Sequence, residues 1–249
     1  MLDDTAWQRW AKRAEALSFV WCARVGKVLL LGMQVVLLIW TDGKWKVPIG
    51  LRLWQTKRRT IKVELAKELL SEAASRAIKP NYVIFDSWYA AAAVLNLLSE
   101  LGWSYVAQIK SNRKLDGKSV RHRWPHRYGQ AVGRLSRVNH QVRVIKDGRR
   151  YWVSNDVDLT RAQMKGYYRM RQQIEETFRL LKQEFGWGGS AARKAQSQSA
   201  HLHLGLIALC LTQQAAYSRG QTVYGFKREL FRQPIPNHLP LLKDFFAAA

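Results

Sequence analysis

The clearest periodic pattern in the chain covers Tyr168–Lys182, which reads YRMRQQIEETFRLLK. This stretch has no Gly or Pro and is rich in strong helix formers, so it is predicted to form one helix. At about 100° per residue, one narrow stripe of the helix is polar and the neighbouring stripe is apolar. The polar stripe consists of Tyr168, Arg171, Glu175, Arg179 and Lys182, and the apolar stripe of Ile174, Phe178, Leu181 and Phe185. One carboxylate therefore lies among three cations and a phenol, beside a face that packs on a core.

The polar stripe has two interpretations. Arg171 and Glu175 are four positions apart, which is the spacing of an ordinary salt bridge on a solvated helix face. A catalytic helix that presents a metal-binding Glu to a phosphate backbone needs the same set of side chains. The helix alone leaves both interpretations open.

The remaining apolar patterns predict an α/β chain. Its predicted elements are, in chain order, a helix over Ala6–Ala16, strands over Lys27–Trp40 and Trp45–Gln55 joined by a turn at Asp42-Gly43, a helix over Ile61–Arg76, a strand over Asn81–Phe85, a helix to about Leu101 and a strand over Gly102–Ile109. Two β-like pieces, Gln141–Ile145 and Arg150–Ser154, precede the helix of Tyr168–Lys182. An apolar helix over His201–Tyr217 follows it.

Two aspartates lie at the predicted ends of strands. Asp86 directly follows Asn81–Phe85, and the carboxyl ends of strands are where open α/β sheets place their chemistry. Asp3 lies in the opening sequence MLDDT, which reads as the end of a strand followed by a turn. For each aspartate the alternative is an ordinary helix N-cap.

The charge of the chain indicates a polyanionic partner. Lys and Arg total 41 against 18 Asp and Glu, which gives a net charge of +23 that is spread along the chain. Nucleic acid is the usual partner of so basic a protein, and a ribosome-associated or membrane-surface role is the alternative. The longest apolar runs, Val28–Trp40 and Leu204–Leu211, are interrupted or too short to span a bilayer. Cys22 and Cys210 have no zinc or redox spacing, so we expect a soluble cytoplasmic protein.

The spacing Tyr168-x2-Arg171-x3-Glu175-x6-Lys182 resembles the Y-R-E-K signature of bacterial insertion-sequence transposases of the DDE type. Gln172 departs from the pattern, because relatives often carry Trp there. This departure neither adds nor removes a catalytic group.

The two aspartate segments extend this resemblance. The sequence DSWY at Asp86–Tyr89 is similar to the D-S-x-Y segment that carries the second catalytic aspartate of the family. The sequence DDT at Asp3–Thr5 is similar to the D-x-T segment that carries the first, and whether Asp3 or Asp4 is the ligand stays open. The resemblance covers the chain from Asp3 to about Leu211.

The resemblance implies an RNase H-like mixed sheet flanked by helices, with a small β-hairpin insertion before the catalytic helix. It implies a catalytic domain over residues 1–217, with the β-rich insertion over 110–160, and a C-terminal tail over 218–249. In relatives such insertions contact the transposon end, whereas on sequence alone a surface hairpin without a role is the alternative. The implied catalytic and metal-binding residues are Asp3, Asp86 and Glu175, and the implied DNA-phosphate-binding residues are Tyr168, Arg171, Arg179 and Lys182.

The resemblance also implies the chemistry and the partners. Three carboxylates suit two Mg²⁺ ions, with Mn²⁺ as a substitute, and such ions drive hydrolysis and strand transfer at phosphorus. The partners would be the double-stranded DNA of transposon ends and target, in a dimeric synaptic complex associated with the nucleoid. No membrane partner is expected.

Only two residues precede Asp3, whereas a central strand needs about five. The family also carries an amino-terminal DNA-binding region ahead of this point, so the resemblance implies the catalytic portion of a longer, N-terminally truncated protein. One alternative is a catalytically inactive DNA-binding remnant that inhibits a full-length transposase. Another is a structure-selective nuclease of the same fold.

Overall fold

The structure, a computed structural model, describes residues 1–9, 14–22, 28–55 and 61–232. The strands are β1 Leu2–Gln8, β2 Ser18–Cys22, β3 Val28–Thr41, β4 Lys46–Trp54, β5 Val83–Phe85, β6 Tyr105–Ile109, β7 Lys114–Leu115, β8 Lys118–Ser119, β9 Tyr128–Gly133, β10 Val142–Asp147 and β11 Arg150–Ser154. The helices are α1 Lys62–Ser75, α2 Ala92–Glu100, α3 Val120–Arg123, α4 Arg161–Arg169, α5 Gln172–Gln183, α6 Ala195–Ser218 and α7 Val223–Arg232.

The chain divides into two compact units. The first comprises Met1–Trp10 and Ala16–Glu176, and the second comprises Ala11–Glu15 and Thr177–Ala249. The predicted boundary between a catalytic domain ending at residue 217 and a tail stays a prediction. Within the described ranges, no helix is long and apolar enough to cross a membrane.

A nine-stranded mixed sheet forms the centre of the first unit. Its order is β2-β3-β1-β5-β6-β11-β10-β9, and β4 also pairs with β3. Strands β1, β5 and β6 are mutually parallel, and the other neighbours are antiparallel. Strand β1, the β3–β4 hairpin, α1, β5, α2 and β6 follow in the chain order expected of an RNase H-like core. The predicted fold class, a mixed sheet flanked by helices, is confirmed.

Apolar side chains cover both faces of this sheet, because successive strand residues point to opposite sides. Phe85, Tyr105 and Ala107 are fully buried in the main core, which includes residues of α1 and α2. Val106, between two residues of the main core, belongs instead to a smaller core with Met164 of α4. The sheet is therefore held between two helical layers, and burial of a large apolar side chain such as Phe85 or Val106 stabilises the fold by roughly 1.5–3 kcal/mol.

The predicted helix over Ala6–Ala16 is wrong. Residues Ala6–Gln8 continue β1, which pairs with β3 from Leu2↔Leu38 to Gln8↔Gly32. This ladder of backbone hydrogen bonds satisfies the donors and acceptors that a helix would have satisfied locally, so tertiary pairing overrides the local pattern. Residues 10–13 lie outside the described part of the chain.

The predicted β-hairpin before the stretch Tyr168–Lys182 is present as β10 and β11. Asp147 pairs with Arg150, and Gly148 takes the positive φ of 62° that a tight two-residue turn requires. Strand β11 then pairs with β6 through Val153↔Ala107 and its neighbours. The hairpin therefore extends the main sheet instead of forming a separate lobe.

The second unit is helical within the described ranges. The indole Nε1 of Trp187 donates to the carbonyl oxygen of Leu202 at 3.0 Å, and Trp187 is fully buried. Gly205 of α6 leaves the space for this indole, since a Cβ there would lie 2.6 Å from its ring. The Oε2 atom of Glu15 accepts from the backbone N of Ala195 at 2.9 Å, in the first turn of α6.

Candidate active site

The pairing of two parallel strands places Asp3 beside Asp86. Leu2 of β1 pairs with Phe85 of β5, and the two aspartates are the residues that directly follow them. Neighbouring strands lie about 4.8 Å apart. Because Leu2 and Phe85 are paired, the two aspartates lie side by side on adjacent strands. Asp3 lies within β1, so it does not cap a helix.

Asp86 is oriented by the turn that follows β5. Its Oδ1 accepts from the backbone N of Trp88 at 2.9 Å and from that of Tyr89 at 3.4 Å. Helix α2 begins later, at Ala92, and its N-cap is Ala91. The helix N-cap interpretation of Asp86 is therefore wrong, and the carboxylate is fixed as the acceptor of a local turn.

The predicted helix over Tyr168–Lys182 is two helices. Helix α4 ends at Arg169 and α5 begins at Gln172, and between them Arg171 N donates to Tyr168 O at 3.0 Å in a tighter i→i−3 turn. Tyr168 packs on Trp152 with ring centroids 6.2 Å apart, and its hydroxyl donates to Gln108 of β6 at 3.0 Å. These contacts hold the end of α4 on the sheet and outweigh the helix propensity of the stretch.

Arg171, at the break between the helices, joins two of the three predicted carboxylates. Its Nη2 donates to Asp3 Oδ2 at 2.7 Å, and its Nη1 donates to Glu175 Oε1 at 2.6 Å. The i,i+4 pair with Glu175 is therefore present, but it is half of a bridge to β1. A solvated surface pair does not explain this arrangement.

Asp4 lies in a separate network of hydrogen bonds. Its Oδ1 accepts from the hydroxyl of Tyr89 at 2.7 Å, and its Oδ2 accepts from Gln34 and from Lys62 Nζ, the latter at 3.3 Å. Tyr89 is fully buried. Because three donors use the oxygens of Asp4, Asp3 is the better candidate for the first ligand. The tyrosine of the D-S-x-Y sequence was visible as part of a motif, but sequence reasoning gave it no role.

The carboxyl groups of Asp3 and Asp86 lie in an environment that disfavours their charged form. Burial raises the pKa of Asp3 to about 7, the charges of Asp86 and Asp4 add to the rise, and Arg171 opposes it. Burial likewise raises the pKa of Asp86, against hydrogen bonds from Trp88 and the charge of Arg171. Burial also raises the pKa of Tyr168, which lies near enough for Asp86 and Asp3 to contribute. These groups form one electrostatically coupled cluster.

The donor chemistry of this cluster fits a hard divalent cation, because carboxylate oxygens are the ligands that Mg²⁺ prefers. Across residues 1–9, 14–22, 28–55 and 61–232, however, no three acidic, His or Cys side chains are already gathered as a metal site. The guanidinium of Arg171 lies between Asp3 and Glu175 and satisfies their charges. The carboxylate oxygens are suited to a metal ion, and in this structure Arg171 donates hydrogen bonds to those of Asp3 and Glu175.

The chain matches a family described as the Transposase DDE domain over residues 7–211. The chain belongs to this family. Asp86 and Glu175 lie within the matched residues of this transposase domain, and Asp3 lies just before them. The resemblance drawn from the motifs is thereby confirmed for the family, while the role of each site residue remains a prediction.

Two similar proteins support the assignment. A probable transposase for insertion sequence element IS701 from Microchaete diplosiphon is 27% identical over 158 residues, which are 53% of this chain and 41% of the relative. A cryo-EM structure of a piggyBac transposase synaptic complex with hairpin DNA aligns with a TM-score of 0.56 and 17% identity, covering 92% of this chain and 50% of that one. This chain therefore covers half or less of the length of each of these two proteins. The structural likeness shows the RNase H-like fold.

The other two predicted phosphate-binding residues lie later in the transposase domain. Arg179 and Lys182 belong to the part of α5 that falls in the second unit, and Arg179 is exposed. Their contribution to DNA binding stays a prediction.

Sequence reasoning missed a basic aromatic cluster next to Asp86. Trp88 is 52% exposed, and the centroid of its ring lies 4.6 Å from Lys62 Nζ and 5.1 Å from Lys110 Nζ. Both are cation–π distances, and exposed indoles beside lysines suit nucleic acid. The available signal was a Trp inside the D-S-x-Y sequence followed, one strand later, by the basic stretch at Lys110.

Proposed function

We propose that this transposase domain cuts and joins DNA at transposon ends by metal-dependent phosphodiester hydrolysis and strand transfer. The observation that carries the proposal is the bridge from Asp3 through Arg171 to Glu175, beside Asp86. The three carboxylates come from elements far apart in the chain. Such convergence at one sheet edge is the arrangement that a reaction at phosphorus needs.

Asp3, Asp86 and Glu175 would hold Mg²⁺, with Mn²⁺ as its substitute in assays, through hard carboxylate oxygens. When bound, the metal pair of such enzymes activates water or a 3′-hydroxyl and stabilises the leaving oxygen. The guanidinium of Arg171 and the phenol of Tyr168 lie beside the carboxylates and are suited to bind the phosphate next to the cut.

A strongly basic groove in the same unit supports DNA as the partner. It has a volume of about 430 Å³ and lies between the β10–β11 turn and α4. We call it the basic groove, and its cationic side chains are Arg127, Arg149, Arg150, Lys165 and Arg169. Among the residues that the structure describes, Asp147 is the one carboxylate that lines it, and Asp147 is paired with Lys165. Most of the positive charge in the groove is therefore left for an anion.

The basic groove leads to the carboxylates through Tyr168. Tyr168 lines the groove, and the charges of both Asp86 and Arg150 act on its hydroxyl. A phosphate backbone bound along the groove would therefore be positioned without base contacts next to the proposed metal ligands. Arg179 and Lys182 are proposed as further phosphate contacts, and a dimeric synaptic complex as the active assembly.

The test is cleavage of a labelled DNA duplex, with a transposon end at one terminus, in Mg²⁺ and in Mn²⁺. The wild-type chain is expected to nick the end and to join its 3′-hydroxyl to a target plasmid, while Asp86→Asn does neither. Asp42→Asn is the matched control, because Asp42 is an exposed aspartate of the β3–β4 turn. The control should retain both reactions.

Two other outcomes identify the alternatives. Nicking without joined products would identify a nuclease that uses the same carboxylates. Salt-sensitive DNA binding without any cleavage, in either metal, would identify an inactive DNA-binding remnant.

A further inference from the structure

Arg171 uses two of its donors on oxygens that the proposed metal would also need. Nη2 lies 2.7 Å from Asp3 Oδ2 and Nη1 lies 2.6 Å from Glu175 Oε1. A guanidinium and a divalent cation compete for these two carboxylates, because both are positive and the charge of each opposes the binding of the other at so short a distance. Metal binding should therefore be tighter when Arg171 has left.

The present position of Arg171 leaves one of its donors unused. Its Nε is buried and has no hydrogen-bond partner in the described part of the chain. A buried donor without a partner is unfavourable. The side chain is 22% exposed and lies at the non-helical junction between α4 and α5, while the side chain of Glu175 is 50% exposed. The side chains of Arg171 and Glu175 therefore both have space to change conformation.

We propose that Arg171 is an exchangeable counter-ion: it holds Asp3 and Glu175 in the metal-free chain and transfers to a DNA phosphate when metal binds. The inference rests on the proposed function and adds to it a coupling between metal and DNA. A phosphate accepts two parallel hydrogen bonds from a guanidinium, as a carboxylate does, so it is a suitable alternative partner. DNA that attracts Arg171 frees the ligands for metal, and metal that displaces Arg171 frees it for DNA.

This coupling has a measurable sign. Each ligand must raise the affinity of the other by the same factor, because the coupling free energy is reciprocal. A bridge that only stabilises the fold behaves differently: its removal would separate Asp3 from Glu175 and weaken metal binding with or without DNA. The affinity for metal in the absence of DNA therefore separates an exchangeable counter-ion from a static one.

The experiment measures Mn²⁺ binding to the full chain by electron paramagnetic resonance of free Mn²⁺, with and without a DNA duplex, after subtracting Mn²⁺ bound by DNA alone. Wild type is expected to bind Mn²⁺ roughly tenfold more tightly with DNA, within the usual range of coupling. Arg171→Gln is expected to bind Mn²⁺ roughly tenfold more tightly than wild type without DNA, and to gain little from DNA. Arg76→Gln is the control, because Arg76 forms an i,i+4 pair with Glu72 of α1.

Three results would overturn the inference. Arg171→Gln binding Mn²⁺ no better than wild type without DNA would indicate a static bridge. An Mn²⁺ affinity of wild type that DNA leaves unchanged would exclude the coupling, and this result needs no variant to fold. Absence of Mn²⁺ binding by every chain, with DNA present, would contradict the proposed function itself and the exchange with it.

Discussion

Two regions of the first unit have opposite compositions. In one, which we call the carboxylate cluster, Asp3, Asp86 and Glu175 lie around the guanidinium of Arg171. In the basic groove, the described part of the chain places five cations around a single carboxylate, that of Asp147. In each region, the group of opposite charge satisfies part of the excess and leaves the rest for a ligand.

The surroundings of the two regions decide what each can bind. Burial raises the pKa of Asp3 to about 7. A hydrogen bond from Lys165, with the charges of Arg161 and Arg127, lowers the pKa of Asp147. The same type of side chain is thus driven towards its neutral form in one region and towards its charged form in the other. The carboxylate cluster is suited to a strongly bound cation, and the basic groove to an exposed polyanion.

Reversing the charge of the basic groove should have the largest effect on DNA affinity and remove the difference between the two regions. We expect the double variant Arg149→Glu and Arg150→Glu to bind duplex DNA roughly a hundredfold more weakly at low salt, because two attractive interactions with phosphate become repulsive. The slope of log affinity against log salt should become shallower by about 0.9 for each phosphate that the protein no longer neutralises. Fluorescence anisotropy in a salt series measures both quantities.

The matched control for the groove is Lys114→Glu with Lys118→Glu, which reverses two exposed lysines on β7 and β8. It should reduce DNA affinity much less. Equal reductions in the two double variants would mean that net charge, not the groove, determines binding.

Asp3→Asn should change how stability depends on pH. In the folded chain Asp3 keeps its proton up to a pKa of about 7, while an unfolded aspartate releases it near pH 4. Between these values the unfolded state binds fewer protons, so Asp3 lowers the free energy of unfolding as pH rises, by up to about 1.4 kcal/mol per pH unit. Below about pH 4 both states are protonated and the penalty is absent.

Urea unfolding of wild type and Asp3→Asn at pH 5, 6 and 7 measures this difference. The stability of wild type relative to the variant should decline across the series. Asp42→Asn serves as the control, because hydrogen bonds from Trp45 and Lys44 lower the pKa of Asp42 out of this range. Parallel curves for wild type and Asp3→Asn would show that Asp3 titrates normally.

Asp147→Asn should have the smallest effect on DNA affinity. It should raise the affinity, whereas the charge reversal in the groove lowers it. Removing the carboxylate of Asp147 frees Lys165 and leaves its positive charge for DNA. We expect DNA affinity to rise by a few-fold, since exposed ion pairs contribute about 1 kcal/mol or less. Anisotropy titration at fixed salt measures the change, and weaker binding would mean that Asp147 orders the cations for DNA.

Elements whose signals are local could be predicted from the sequence. The β3–β4 hairpin follows from two apolar runs around Asp42-Gly43, and β11 covers the predicted Arg150–Ser154, which contains Tyr151, Trp152 and Val153. Asp86 directly follows β5, as its position after an apolar run indicated. For each of these elements, the residues that predict it lie within a few positions of one another in the sequence.

Features that depend on distant partners could not be predicted. Strand β1 continues through Gln8 because β3 supplies its hydrogen bonds, and no Gly or Pro marks the break at Arg171. The hydrogen bond from Tyr89 to Asp4 joins residues 85 positions apart, so no local spacing indicates it. The site residues were visible as motifs, but the bridge through Arg171 needed the fold.

The most direct test of the proposed carboxylate site compares DNA nicking by wild type, Glu175→Gln and Glu176→Gln in Mg²⁺. Glu176 is the adjacent residue of α5 and pairs with Lys46 at 2.9 Å, outside the carboxylate cluster. We predict that Glu175→Gln reduces the rate by at least about a hundredfold, in line with the removal of a metal ligand, while Glu176→Gln stays near wild type. Nicking that survives in Glu175→Gln, or that is abolished equally in both variants, would contradict the proposed role of Glu175.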